Sequence, residues 1–148
     1  MSGEIIEVRA ASAIGLEGAG SAIANGAVGV MTSGRYAKQS AGNGFPDAQF
    51  ALTCQFSVAP IKNSIIAVYA RPMAVDGSNN TQAPEATRPT RFIGQFVVND
   101  VTTQQTMEFV ANDLPWDAWY YLHNVNTGQQ LPVGWSVSIT PRTFKAAP

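Results

Sequence analysis

Pro115 to Phe144 reads PWDAWYYLHNVNTGQQLPVGWSVSITPRTF, and two strands can be cut from it. In the second, Val133, Trp135, Val137 and Ile139 alternate with Gly134, Ser136, Ser138 and Thr140, the period of a strand with one buried and one wet face. Pro141 is expected to end its pairing, because proline offers no ladder donor. In the first, Trp119 to Val125, large side chains fall on both faces. Trp119, Tyr121, His123 and Val125 point one way, and Tyr120, Leu122 and Asn124 the other. Such a strand is expected to be covered on both sides. Between the two runs Asn126, Thr127 and Gly128 are turn residues and Pro132 resets the chain. The stretch is a hairpin or a longer crossover between two sheets.

Working outward, the same period recurs upstream. Phe50, Leu52, Cys54, Phe56 and Val58 alternate with Gln49, Ala51, Thr53, Gln55 and Ser57, the clearest half-buried strand in the chain. After a turn at Pro60 and Asn63, Ser64–Ala74 forms the next strand, its far end set on an edge or a bend by Pro72. Asp76–Thr90 has almost nothing apolar and reads as a long exposed loop. Arg91–Val98 and Gln105–Ala111 are most simply the two arms of an antiparallel hairpin about the polar turn Asn99–Gln104. With Glu4–Arg9 these make seven short strands and no amphipathic helix. The expected fold is all-β, an antiparallel β-sandwich or jelly-roll-like domain over residues 45–148. Its core is expected to hold Phe50, Phe56, Phe96, Phe109, Trp135 and Ile139.

Residues 1–44 have another character. Gly15 to Gly44 holds eight of the thirteen glycines, with Ile23, Val28, Val30, Met31 and Tyr36 as its sizeable apolar residues. Glycine at that density weakens helix and sheet alike. The expectation is an N-terminal strand followed by an extended Gly/Ala-rich arm that leans on a neighbouring surface or subunit. A short irregular helix or a bulged strand over Ala22–Met31 is the other possibility.

Charged residues make up 13% of the 148-residue, 15.7 kDa chain, about half the ~25% of ordinary globular proteins. A net charge of −1 leaves no electrostatic footprint for nucleic acid or an anionic membrane, so neither is an expected partner. A single cysteine, Cys54, forms no internal disulfide and fits folding in a reducing compartment. Neither a secretory signal nor a spanning segment is legible, and Gly18–Thr32 is too short and too broken for the ~20 apolar residues a helix needs to cross. The chain is expected to be made in the cytoplasm.

No catalytic constellation stands out, and an enzyme is not expected. His123 is the one histidine and cannot complete a zinc site with one distant cysteine, so no metal or cofactor is expected. No G-x-S-x-G elbow presents a serine to it. Cys54 lies on the apolar side of its strand, as an inert buried thiol would. Asp113 and Asp117 flank the Pro115-Trp116 turn, where capping of backbone N–H groups is the simpler role than acid and base. Gly18-Ala19-Gly20-Ser21 lacks the Lys-Ser/Thr of a phosphate loop. Asn79-Asn80-Thr81 matches a glycosylation sequon that matters only in a secreted chain. Trp116, Trp119, Tyr120 and Tyr121 form the one distinctive cluster. Core or subunit interface is its ordinary use, and an exposed ligand platform, centred on Trp119 and Tyr120, is the alternative.

The GQFVVND element at Gly94–Asp100, the LHNVNTGQQLPVGWSVSITPRTF run at Leu122–Phe144 and the Gly/Ala-rich arm resemble small structural proteins of tailed bacteriophages. More narrowly, they resemble capsid decoration, or cement, proteins. The resemblance implies a structural virion protein on the capsid surface, a homo-oligomer, trimeric by preference, that clamps neighbouring subunits of the major capsid protein. It carries over no active-site residue. The residues expected at the capsid or intersubunit contact are Ile5, Val28, Val30, Met31, Tyr36 and Trp116. A tail or baseplate protein with a host-glycan-binding module is the alternative function.

Overall fold

The computed structural model describes residues 3–37, 45–73 and 91–147. The loop expected at Asp76–Thr90, with the sequon inside it, lies outside them. Among the described residues there are nine strands: β1 (Ile5–Arg9), β2 (Ile14–Glu17), β3 (Val28–Ala37), β4 (Asp47–Cys54), β5 (Ser64–Pro72), β6 (Arg91–Val98), β7 (Gln105–Ala111), β8 (Asp117–Asn124) and β9 (Ser136–Ala146). A five-stranded sheet has the order β1-β9-β4-β7, with β2 also on β9. A four-stranded sheet has the order β3-β8-β5-β6. All pairings are antiparallel. From β2 onward every connection but β5 to β6 crosses from one sheet to the other, and the two orders are those of a jelly roll.

The alternation in the sequence decides which side chains meet between the sheets. Phe50 and Leu52 from β4, Val137 and Ile139 from β9, Ile66 and Val68 from β5, and Tyr120 and Leu122 from β8 are all fully or almost fully buried. Trp135, just before β9, is 1% exposed and donates its indole N–H to the Ser21 carbonyl at 2.7 Å, so the largest core side chain leaves no polar atom unpaired. Phe109 is half-buried, stacked on Phe50 at 5.0 Å and tilted against Phe96 at 4.8 Å. The turn before β5 places Asn63 at φ 62°, a backbone region that asparagine tolerates better than most side chains.

One open alternative is resolved and four expectations change. The Pro115–Phe144 stretch is the crossover: β8 lies in one sheet and β9 in the other. Asn124 anchors the connection, donating through Nδ2 to the carbonyls of Ile23 and Gln129, while the Thr127 hydroxyl donates to Asn124 Oδ1. Pro141 does not end β9, which runs five residues further. Its carbonyl accepts from Ala10, so its ring nitrogen also faces the gap between β1 and β2, where no ladder bond is lost.

β6 and β7 are not a hairpin, since β6 pairs with β5 and β7 with β4. Gln105 supplies the reason: its side chain binds the Asn99 amide and carbonyl, taking the place of main-chain pairing where the chain changes sheets. Gly94 then lets β6 approach Phe109, since a Cβ there would fall 2.2 Å from the ring.

The Gly/Ala-rich stretch, as far as it is described, is extended but is part of the sandwich. β2 pairs with β9 and β3 with β8, so residue 44 does not divide two independent units. Here too a glycine brings backbone against a core ring. A Cβ on Gly20 would lie 2.0 Å from the Trp135 indole. Met31 and Tyr36, expected at a capsid or intersubunit contact, are 0% and 4% exposed and belong to the core, so they cannot reach a partner.

Candidate functional site

The two outer faces of the jelly roll differ sharply in chemistry. On the five-stranded sheet the outward residues are Gln49, Ala51 and Thr53 of β4, Thr106, Glu108 and Val110 of β7, and Ser136, Ser138, Thr140, Arg142 and Phe144 of β9, with Ile5 and Glu7 of β1 beside the last of these. They bond to one another: Gln49 Nε2 donates to Glu108 Oε2 at 2.7 Å, and the Thr53 and Thr106 hydroxyls are 3.0 Å apart. That face is mostly polar across β4, β7 and the first half of β9, and apolar at its β1 edge, where Ile5 and Phe144 are exposed.

The four-stranded sheet turns outward a set of rings and branched aliphatics. Register fixes them in rows. Val28, His123, Ala67 and Gln95 lie side by side, then Val30, Tyr121, Tyr69 and Phe92, then Arg35, Trp119 and Arg71. Tyr69 packs edge-on to Phe92 at 5.7 Å and tilts against His123 at 5.9 Å. Tyr121, in the middle of the face, is 2% exposed although it lies outside the core cluster. At the margins Val30, Phe92 and Val97 are 54%, 53% and 48% exposed. One end of the face carries an ion pair in fork geometry, Arg35 Nε and Nη2 to Asp117 Oδ1 and Oδ2 at 3.1 and 2.8 Å.

Family models, curated proteins and solved structures gave no match to this chain. The site therefore has to be read from its own side chains.

Several expected site residues do meet on or beside this face. Val28, Val30 and Trp119 are on it, while Trp116, exposed in the turn before β8, and Ile5, exposed on β1, lie elsewhere on the surface. Tyr120 does not belong to a ligand platform. It is 0% exposed in the core, and Tyr121 takes the outward position, because strand parity at β8 buries the even-numbered residues. Tyr69 and Phe92 were missed as surface residues. For Tyr69 the signal was present in its alternation with the buried Val68 and Ala70, whereas Phe92 has the sequence parity of the buried Phe96 and reaches the outer face only through a register shift beside Tyr69.

The other polar features have structural partners. The Cys54 thiol is buried, which pushes its pKa up to about 12 and leaves almost no thiolate for chemistry. The Asp113 amide donates to Asp47 and its exposed carboxylate lies 3.9 Å from Arg91, while Asp117 is held by Arg35. The amides of Gly18 and Ala19, in the loop that resembles a phosphate cradle, are turned onto the Glu17 carboxylate at 2.9 and 3.1 Å. Among the described residues no three metal-ligating side chains come together, and no helix is long and apolar enough to cross a membrane.

Proposed function

We propose that this chain is a structural virion protein, a capsid decoration protein that seats the outer face of the four-stranded sheet on a phage head and clamps neighbouring major capsid subunits. The observation that carries this reading is the set of exposed apolar residues on that face, Val30, Phe92 and Val97 around the half-buried Tyr69, on a chain whose other broad face is mostly hydroxyls and amides. Rings and branched aliphatics with little charge are the composition of an interface centre. The assignment to a phage rests on the resemblance at Gly94–Asp100 and Leu122–Phe144. Jelly rolls occur among viral capsid and lectin domains, which agrees with it by analogy of fold.

Size supports a clamp acting in many copies. Four strands about 4.8 Å apart and about seven residues long make a face of roughly 450 Å², well under the ~800 Å² per partner of a standard interface. One such footprint binds weakly. Several, linked in an oligomer over a repeating lattice, bind by avidity. The test is co-sedimentation of the purified chain with isolated heads. Phe92→Asp and Val30→Asp should each reduce the bound fraction at least ten-fold while leaving the melting temperature nearly unchanged; binding equal to the wild type would remove this face from the account.

A second reading has its own observation. Trp119 stands in register between Arg35 and Arg71, with Arg35 fixed by Asp117, and a ring flanked by oriented donors is how a β-sheet lectin holds a sugar. On that reading the chain is a tail or baseplate module. Saturable binding of a host glycan that disappears in Trp119→Ala would favour it over the capsid role.

A further inference from the structure

The lateral edges of the two sheets are β1 with β2, β7, β3 and β6. Four of these five edge strands close in pairs. β6 lies beside β7, with Phe109 against Gly94, and β2 lies beside β3, where Glu17 accepts from the Thr32 amide and hydroxyl. β1 is different: among the described residues its strand partner is β9 alone.

The direction of its backbone groups can be read from two bonds. Ala10 N–H donates to the Pro141 carbonyl, and Ala147 N–H donates to the Glu4 carbonyl, so the even-numbered residues of β1 turn toward β9. Alternate residues of an antiparallel strand face the other way. The N–H and C=O groups of Ile5, Glu7 and Arg9 therefore point out of the sheet, and none has a partner among the described residues. An edge of this kind is a template for another strand.

We propose that β1 pairs with β1 of a second copy of this chain, antiparallel about a two-fold axis at Val8, so that the two five-stranded sheets become continuous. Charge selects both the occupant and the register. Glu7 and Arg9 are opposite in sign, two residues apart and on one face of the strand. A two-fold at Val8 sets Glu7 directly across from the second copy's Arg9, and Arg9 from its Glu7, at the positions that exchange main-chain hydrogen bonds. Val8 meets Val8 of the second copy at the intervening position, where side chains come closest. The neighbouring register, centred on Glu7, would oppose two carboxylates. Glu7 is already pulled toward its ionised form by the side-chain bond from Arg9 and by Arg142, which keeps the charge pattern in place. Ile5, 71% exposed, is drawn to the same seam.

The contact is isologous and closes on itself, which keeps an open strand edge from building fibres. It gives a dimer in place of the trimer that the resemblance implies, and it does not rest on the capsid reading.

Sedimentation equilibrium of the wild type, of Glu7→Arg, of Arg9→Glu and of their equimolar mixture tests it. The wild type should be a dimer that dissociates on dilution. Each reversal alone opposes like charges and should be monomeric, whereas the mixture restores both opposite-charge pairs and should dimerise. The volume-conserving Glu7→Gln, which leaves the fold least disturbed, should weaken the wild-type dimer several-fold. A monomeric or trimeric wild type, single reversals that still dimerise, a mixture of folded variants that stays monomeric, or a Glu7→Gln dimer of unchanged strength would each overturn the proposal.

Discussion

Glu17 Oε2 accepts the amide and the hydroxyl of Thr32, each at 2.7 Å, and so ties an edge of one sheet to an edge of the other. The residue is 8% exposed. Burial pushes its carboxyl pKa up, but the Thr32 hydroxyl and the amides of Thr32, Ala19 and Gly18 outweigh it and hold the carboxyl below the ordinary value of 4.5. The carboxylate is therefore the form the fold requires.

Linkage gives the pH dependence its sign. With the folded pKa below the unfolded one, the stabilisation is complete above about pH 4.5 and is lost as pH falls through the folded value. Glu17→Gln should therefore cost about 1.5–3 kcal/mol at neutral pH, the scale of bonds to a charged group. Chemical denaturation at pH 7 and pH 3 should show the gap between wild type and variant narrowing in acid. An equal gap at both would assign the loss to packing.

Tyr36 and Tyr120 give the opposite expectation. Their rings lie 6.4 Å apart in the core, and neither buried hydroxyl has a hydrogen-bond partner among the described residues. Burial raises the pKa of both phenols. Removing an unsatisfied polar atom while keeping the ring should help, so Tyr120→Phe is expected to stabilise the chain by about 1 kcal/mol. A lower midpoint in urea would mean that the hydroxyl is bound after all.

The two outer faces explain why part of this fold was legible in sequence and part was not. Alternation at Phe50, Leu52 and Cys54 and at Val137 and Ile139 marked buried strand faces directly, because a side-chain period of two needs no long-range information, although β4 ends at Cys54 and the expected continuation to Val58 leaves that residue exposed. The jelly-roll order was not encoded locally. Whether Asn99–Gln104 folds back or crosses over depends on Gln105 capping Asn99 and on Gly94 admitting Phe109, contacts that no composition rule reports. The glycine-rich stretch misled for a related reason. The arm is expected to lean on a neighbouring surface or subunit, and at Gly20 that surface is the chain's own Trp135. At β8 the error was one of parity: both faces carry rings, so only the partner strands could say that Tyr120 is inside and Tyr121 outside.

The tryptophans should separate cleanly by environment. Trp135→Ala, which empties a site in the core, is expected to cost about 3–5 kcal/mol. Trp116→Ala, at a residue 59% exposed, should change stability by less than about 0.5 kcal/mol. Urea titrations of both variants check the pair, and a small loss at Trp135 would contradict its place in the core.

For the proposed virion role the most direct measurement is a mass-spectrometric census of purified phage particles, with heads and tails separated and copies counted against the major capsid protein. The account predicts the chain on heads, in numbers that scale with the capsid lattice. A few copies confined to tails would contradict it and make Trp119 and its flanking arginines the surface to study.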